Sequence, residues 1–332
     1  MYPALLANVT RADTTESQHY GHVAVVNGEG ELVLALGDPH YVTFTRSAAK
    51  PFQAMPLLAD NLPTHFGFDQ EQVAVMMASH SGEARHVAAV ERILQKIGCT
   101  AADLQCGVHQ PLGEAVAKEL AKSGQRPTVL QHNCSGKHAG MLAACVKNGW
   151  PLATYLQFDH PHQQRILKTF VEWFDLPNDE IKLGIDGCSA PNFAIPISAL
   201  ARAFAKLMSS HDEVARAVVP AFMAHPEMIA GEKRFDTEIM RCRRGTILAK
   251  TGAEGIQCIA GNWPEPLGIV IKVVDGSQRA VPAIAIEVLR RLQIADNELL
   301  KQLSHYRRII RHNHRKLSIG WIEALPMVEN GL

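Results

Sequence analysis

The period of the hydrophobic pattern changes twice along the chain, and this limits the fold more than any other feature. Up to residue 45, apolar and polar positions alternate in HVAVVN (22–27), ELVLALG (31–37) and YVTFT (41–45), with the turn sequence NGEGE between the first two. Alternation of this kind predicts antiparallel strands joined by tight turns. The middle of the chain shifts to a period near 3.6. ARHVAAVERILQKIG (84–98) puts Val87, Val90, Ile93, Leu94 and Ile97 on one face and stops at Gly98, and ISALARAFAKLMSS (197–210) repeats the pattern with Leu200, Phe204 and Leu207. Both segments read as amphipathic helices. Strand character returns in TILAK (246–250), IQCIAG (256–261) and LGIVIKVVDG (267–276), and PAIAIEVLRRL (282–292) follows as a helix. Strands at both ends with helices between them predict an α+β fold whose antiparallel sheet unites the N- and C-terminal segments. With no internal repeat, low-complexity tract or flexible linker, residues 1–332 are expected to form one domain. It is bilobal in outline, with a sheet lobe (about 1–50 and 245–332) and a helix-rich region (about 51–244).

Charge excludes several partner classes. Lysine plus arginine and aspartate plus glutamate are equal at 33 each, so no net field favours nucleic acid or an anionic membrane. A small molecule is the expected partner. MYPALLANVTRADTTESQ has neither the basic start nor the apolar stretch of a secretory signal, and no later run is long enough to span a bilayer, which predicts a soluble cytoplasmic protein. The seven cysteines are odd in number, scattered and without a C-x-x-C pair, so most are expected to be small buried residues outside any disulfide framework.

Three segments carry groups suited to acyl transfer. In Arg46-Ser47-Ala48-Ala49-Lys50-Pro51 a serine and a lysine three apart share one face near a helix start. Serine becomes a nucleophile only when a neighbouring base removes its proton, and lysine can be that base only where burial or another cation favours its neutral form. Alone, the motif equally describes a helix cap beside a solvated lysine. Ser79-His80-Ser81-Gly82-Glu83 and Lys250-Thr251-Gly252 follow downstream. The order S-x-x-K, serine-containing turn, K-T-G is the skeleton of the penicillin-recognising serine acyltransferases and class A β-lactamases, although the middle element departs from S-D-N.

The segment QHNCSGKHAGML crowds Cys134, Ser135, Lys137 and His138 before an alanine-rich helix. A phosphate loop is excluded, because Gln131 stands where that motif needs its first glycine and His138 where it needs serine or threonine. Ser135 and Gly136 suit a helix start. With Cys188 from GIDGCSAP (184–191), Cys134 suits a zinc site completed by nitrogen from Lys137 or His138. It equally suits a thiol nucleophile with His138 as base. These residues alone leave both readings open.

Taken together, FTRSAAKPFQA, ASHSGE, NCSGKHAGML, GIDGCSAP, AKTGAEG and VVDGSQRA resemble the asparaginase II family typified by the rhizobial inducible asparaginase, in order from about residue 5 to 325. The resemblance implies a serine β-lactamase/glutaminase-like fold and hydrolysis of L-asparagine to L-aspartate and ammonia through an acyl-enzyme. It implies Ser47 as nucleophile, Lys50 as its general base, and Ser79 with Lys250 as a second pair that assists proton movement. It also implies a zinc site of Cys134, Lys137 and Cys188 beside the substrate pocket, with His138 and Asp186 around it, and a homodimer. Arg46, adjacent to the nucleophile, is expected to hold the substrate carboxylate. The competing readings are a β-lactamase or peptidase using the same apparatus, and a non-catalytic zinc- or ligand-binding protein.

Overall fold

In the computed structural model, which describes residues 2–326, the alternating N-terminal segments and the C-terminal strands form one antiparallel sheet. Strands β1 (Ala4–Arg11), β2 (Thr14–Asn27) and β3 (Leu32–Leu36) open the chain. The first half of β2 pairs with β1 and its second half with β3, so the two neighbours lie end to end along one edge of it. NGEGE forms the expected hairpin: the side-chain oxygen of Asn27 accepts from the amides of Glu29 and Glu31, and Gly30 takes φ +88°. Strand β4 (Val42–Phe44) does not continue this sheet. It pairs instead with β6 (Pro191–Pro196), which also pairs with β5 (Lys182–Ile185), in a second, three-stranded sheet with no counterpart in the sequence reading.

The last strands are β7 (Ile247–Gly252), β8 (Ile256–Asn262), β9 (Pro266–Val273), β10 (Arg308–His312) and β11 (Ser318–Ala324). The order across the main sheet is β10-β11-β1-β2-β9-β8-β7. The termini are united as expected, through Gly21 opposite Val273 and Ala7 opposite Ala324. Strands β1, β10 and β11 are additions to the sequence reading. Their half-buried positions mix polar and charged residues, which blurs the alternation.

Nearly every residue of β8 and β9 is buried, so the sheet is covered on both faces. The predicted helices supply much of that cover. Ile197–Ser209 packs on β2, β8 and β9, and Val281–Arg291 on β1, β8, β9 and β11. Ala84–Lys96 buries Val90, Ile93 and Leu94 and ends before Gly98 at φ +71°. Phe52, on the helix Lys50–Ala59, stands edge-on to Phe174 at 4.7 Å and to Phe204 at 5.3 Å, tying that helix into the interior. Among the described residues no helix is long and apolar enough to cross a membrane.

The contact between sheet and helix is closest at Gly268, where an added Cβ would stand 1.9 Å from the carbonyl oxygen of Ala201 and 2.7 Å from the amide nitrogen of Ala205. Both are backbone atoms and cannot turn aside. Gly268→Ala is expected to cost about 3 kcal/mol of stability, read as a lower midpoint of urea unfolding, whereas an unchanged midpoint would show that the helix rides on the sheet with slack.

Candidate active site

The small sheet exists at the right place to join two loops. At the end of β4, Thr45 donates its amide to Phe193, and the chain turns through Arg46 at φ +49° into the 3₁₀ turn Arg46–Ala49 and the helix Lys50–Ala59. A left-handed arginine is a strained conformation that surrounding bonds must hold. Here they come from the β5–β6 hairpin. Asn192 accepts the Arg46 amide at 3.2 Å, and Arg46 Nε donates to Asp186 at 2.6 Å. The hairpin tip is itself tight, with the Asp186 amide donating to Ala190, Ser189 at φ +69° and the Cys188 amide donating to the Asp186 carboxylate. Burial works against the charge on Asp186, but Lys137 and Arg46 hold its carboxyl below the usual range.

Between these loops lies a narrow recess, lined by Arg46, Ser47, Lys50 and Gln53 on one side and Lys137, Asp186, Pro191 and Asn192 on the other. Ser47 is half-buried, while Ala48 and Ala49 behind it are fully enclosed. Lys50 is 1% exposed, and its ammonium donates to the carbonyl of Ala78, to Ser79 Oγ at 3.1 Å and to the carbonyl of Asn133 at 3.3 Å. Among the described residues Ser47 Oγ makes no hydrogen bond, and Ser79 pairs with Lys50 rather than with Lys250. Ser79 is fixed by its amide, which donates to Ile229, and Ser81 by its hydroxyl, which donates to Ala230.

Lys250 enters from β7, fully buried, and donates to the carbonyl of Thr251. Burial pushes it down to about 7, with Lys50 and Arg234 adding to the effect and Asp236 opposing it. Asp236, itself buried, accepts from the Thr251 amide at 2.7 Å, the Thr251 hydroxyl at 2.8 Å and Gln257 Nε2 at 2.9 Å, which clamps the end of the strand that carries Lys250. Neither Asp236 nor Gln257 belongs to a motif, and sequence reasoning missed both.

The helix Ser135–Asn148 starts beside the recess. An added Cβ at Gly136 would meet the carbonyl oxygen of Val75 at 2.2 Å, so only glycine lets the helix start press against the segment leading to Ser79. Ser135 does not cap the helix: its hydroxyl donates to Leu130 and pairs with His80 Nε2 at 2.9 Å. Cys134 occupies the cap position. Its thiol is pushed well below the usual value, first by a hydrogen bond with Cys188 and then, against the cost of burial, by Lys50, Lys137 and His132. The same hydrogen bond and burial push Cys188 up. Lys137 Nζ lies 3.2 Å from Cys188 Sγ, and although burial disfavours its charge, the two sulfurs and Asp186 raise it above its usual value.

This donor set fits a metal ion. The sulfurs of Cys134 and Cys188 and a carboxylate oxygen of Asp186 lie within 4.8 Å of one another, are buried or half-buried, and already favour one thiolate. Lys137 is close enough to join them but would have to give up its proton to ligate. His138 is placed elsewhere. It is fully buried, bonds Tyr155 through Nδ1 at 2.7 Å and does not line the recess. Burial and then Lys137 keep its ring neutral. The structure thus gathers Ser47, Lys50, Arg46, Lys137 and Asp186 around one recess, with Ser79 behind Lys50, Cys134 and Cys188 beside Lys137, and His138 set back in the interior.

Comparison with known proteins adds a family. The profile of the family described as L-asparaginase II matches residues 7–324. Among curated proteins no sequence matches the chain. Solved structures of Mglu resemble it distantly: the native form at 18% identity, covering 84% of this chain and 67% of that one with a TM-score of 0.36, and the L-glutamate binding form at 17% identity, covering 84% and 61% with a TM-score of 0.38. The chain spans about two-thirds or less of the length of those proteins, and a likeness of this degree bears on neither the site nor the reaction.

Burial of Lys250 has a measurable cost. Below about pH 7 the folded and unfolded chains both carry the charge, and the full cost of enclosing it is present; between about 7 and the ordinary lysine value of 10.5 only the unfolded chain holds the proton, so stability rises with pH. Lys250→Met is therefore expected to raise the midpoint of urea unfolding most at about pH 6 and least toward about pH 10. A gain that does not depend on pH would mean that Lys250 is not held neutral.

Proposed function

Because the chain belongs to the L-asparaginase II family, we propose that it hydrolyses L-asparagine to L-aspartate and ammonia through an acyl-enzyme on Ser47, on a serine β-lactamase/glutaminase-like framework. The observation that supports this reading best is the position of Ser47, whose hydroxyl has no hydrogen-bond partner among the described residues and faces the same recess as the buried side chain of Lys50. Arg46 and Asp186 flank it as an ion pair suited to the α-carboxylate and α-amino groups of an amino acid. Held there, the side-chain amide lies against Ser47.

In the first half of the reaction Lys50, in its neutral amine form, accepts the hydroxyl proton of Ser47 while the oxygen attacks the amide carbon. Oγ–C forms, the C–N bond breaks, and ammonia departs with a proton delivered through Ser79, which already touches Lys50. Lys250, near neutrality at about 7, serves as the reserve acceptor and donor behind this pair. In the second half water attacks the ester carbon and gives its proton to Lys50, the C–Oγ bond breaks, the lysine returns the proton to Ser47 Oγ, and aspartate leaves. Because the step needs a lysine base in its neutral form, the reaction is faster on the alkaline side.

Cys134, Cys188 and Lys137, with Asp186 adjoining, would hold zinc. When bound, zinc supplies a fixed positive charge that anchors the polar end of the substrate. The protein groups keep the proton transfers, so the nucleophile is Ser47 and not a thiol.

Two measurements test this. Ser47→Ala, with its far-ultraviolet circular dichroism unchanged, is expected to lose on the order of 10⁴-fold in kcat for ammonia release from L-asparagine; equal activity in the variant would refute the assignment. Chelation is expected to raise KM more than it lowers kcat, and a chelated enzyme with intact KM and no turnover would place the metal in the chemical step instead.

A further inference from the structure

The side chain of Gln53 is 6% exposed, lines the recess beside Ser47 and Lys50, and its Oε1 has no hydrogen-bond partner. A buried acceptor without a partner costs the folded protein free energy. The other amide in the lining shows what a satisfied one looks like. Asn192 Oδ1 accepts from the amides of Arg46 and Phe193, and its Nδ2 donates to Asp186. Gln53 also follows Lys50 by one helical turn, as Lys50 follows Ser47, so the three side chains project from the same side of the chain.

The remaining lining is rich in donors: Arg46, Lys50 and Lys137 all present N–H groups, and the single carboxylate, Asp186, is engaged by Arg46, Asn192 and the Cys188 amide and, in the reading above, by the substrate's α-amino group. Free acceptor capacity in a donor-rich recess suits a ligand that brings its own N–H. A carboxamide has that group; the carboxylate formed by its hydrolysis does not. Resting on the acyl-enzyme reading above, we propose that Gln53 is the residue that distinguishes amide substrate from acid product, by accepting a hydrogen bond from the substrate's side-chain N–H₂ and repelling the product's carboxylate oxygen at the same position.

The test compares wild type with Gln53→Met, which keeps length and volume but removes the acceptor, and Gln53→Glu, which keeps an acceptor and removes the donor. KM for L-asparagine, inhibition by L-aspartate and thermal midpoint are measured for each. Gln53→Met is expected to raise KM at least about tenfold and to strengthen inhibition by aspartate, while its thermal midpoint stays level or rises because an unsatisfied group has been removed. Gln53→Glu is expected to keep KM within about threefold of wild type and to weaken inhibition by aspartate. A ratio of KM to the aspartate inhibition constant that is unchanged in Gln53→Met, a lowered midpoint in that variant, or Gln53→Glu behaving as Gln53→Met would overturn the inference. Ser47→Ala run alongside separates the two proposals: full activity there refutes the acyl-enzyme, whereas an inactive Ser47→Ala with an unchanged ratio in Gln53→Met refutes only the role of Gln53.

Discussion

The enclosed ammonium of Lys50 is the interaction on which the site depends. A lysine nitrogen taken out of water must find hydrogen-bond partners, and Lys50 finds them on two segments remote from each other in sequence: Ala78 and Ser79 in the loop after the helix Gln70–Met76, and Asn133 just before the helix that starts at Ser135. One side chain thereby fixes how the nucleophile turn, the second serine and the cysteine-bearing helix start sit together. Gly136 tightens the same junction by admitting the carbonyl of Val75. The bonds that satisfy Lys50 also place its Nζ against Ser79 Oγ, so one atom ties the turn at Ser47 to the second serine.

The second constraint is the strained turn at Arg46. A non-glycine residue at φ +49° persists because Asn192 and Asp186 grip both its backbone and its guanidinium. Those grips come from the β5–β6 hairpin, whose tip also carries Cys188. The small sheet therefore ties the turn that carries Ser47 to the hairpin tip that carries Cys188.

Much of this could be read from sequence because the motifs are local. The period switch located the helices at 84–96 and 197–209 and the strands β2, β3, β7, β8 and β9, and the serine-lysine spacing placed Ser47 and Lys50 on one face. What could not be read depends on pairing between distant segments. The chain after Tyr41 looks like one more strand of the first sheet, yet β4 pairs with β6, since nothing within VTF records which partner it will meet. His138 falls among motif residues but turns to Tyr155 and away from the recess that its neighbour Lys137 lines, a difference set by the direction in which each projects from the helix. Asp236 is invisible because its partners, Thr251 and Gln257, are known only once β7 and β8 are side by side. Gln53 did leave a signal, one turn beyond Lys50, but an amide on an apolar helix carries no chemistry until the recess is seen.

The long second strand has a consequence for how the chain comes into being. β2 is made well before β9, yet its second half faces β9, with Gly21 opposite Val273 and Asn27 opposite Leu267, and β1 faces β11. The ribosome thus exposes an apolar strand long before its partner emerges, and contacts of such separation form slowly. An unpaired edge is a template for association with other chains. The β2–β3 hairpin shields part of one edge in the meantime, which leaves the edge awaiting β9 as the point where incomplete chains would stick to one another.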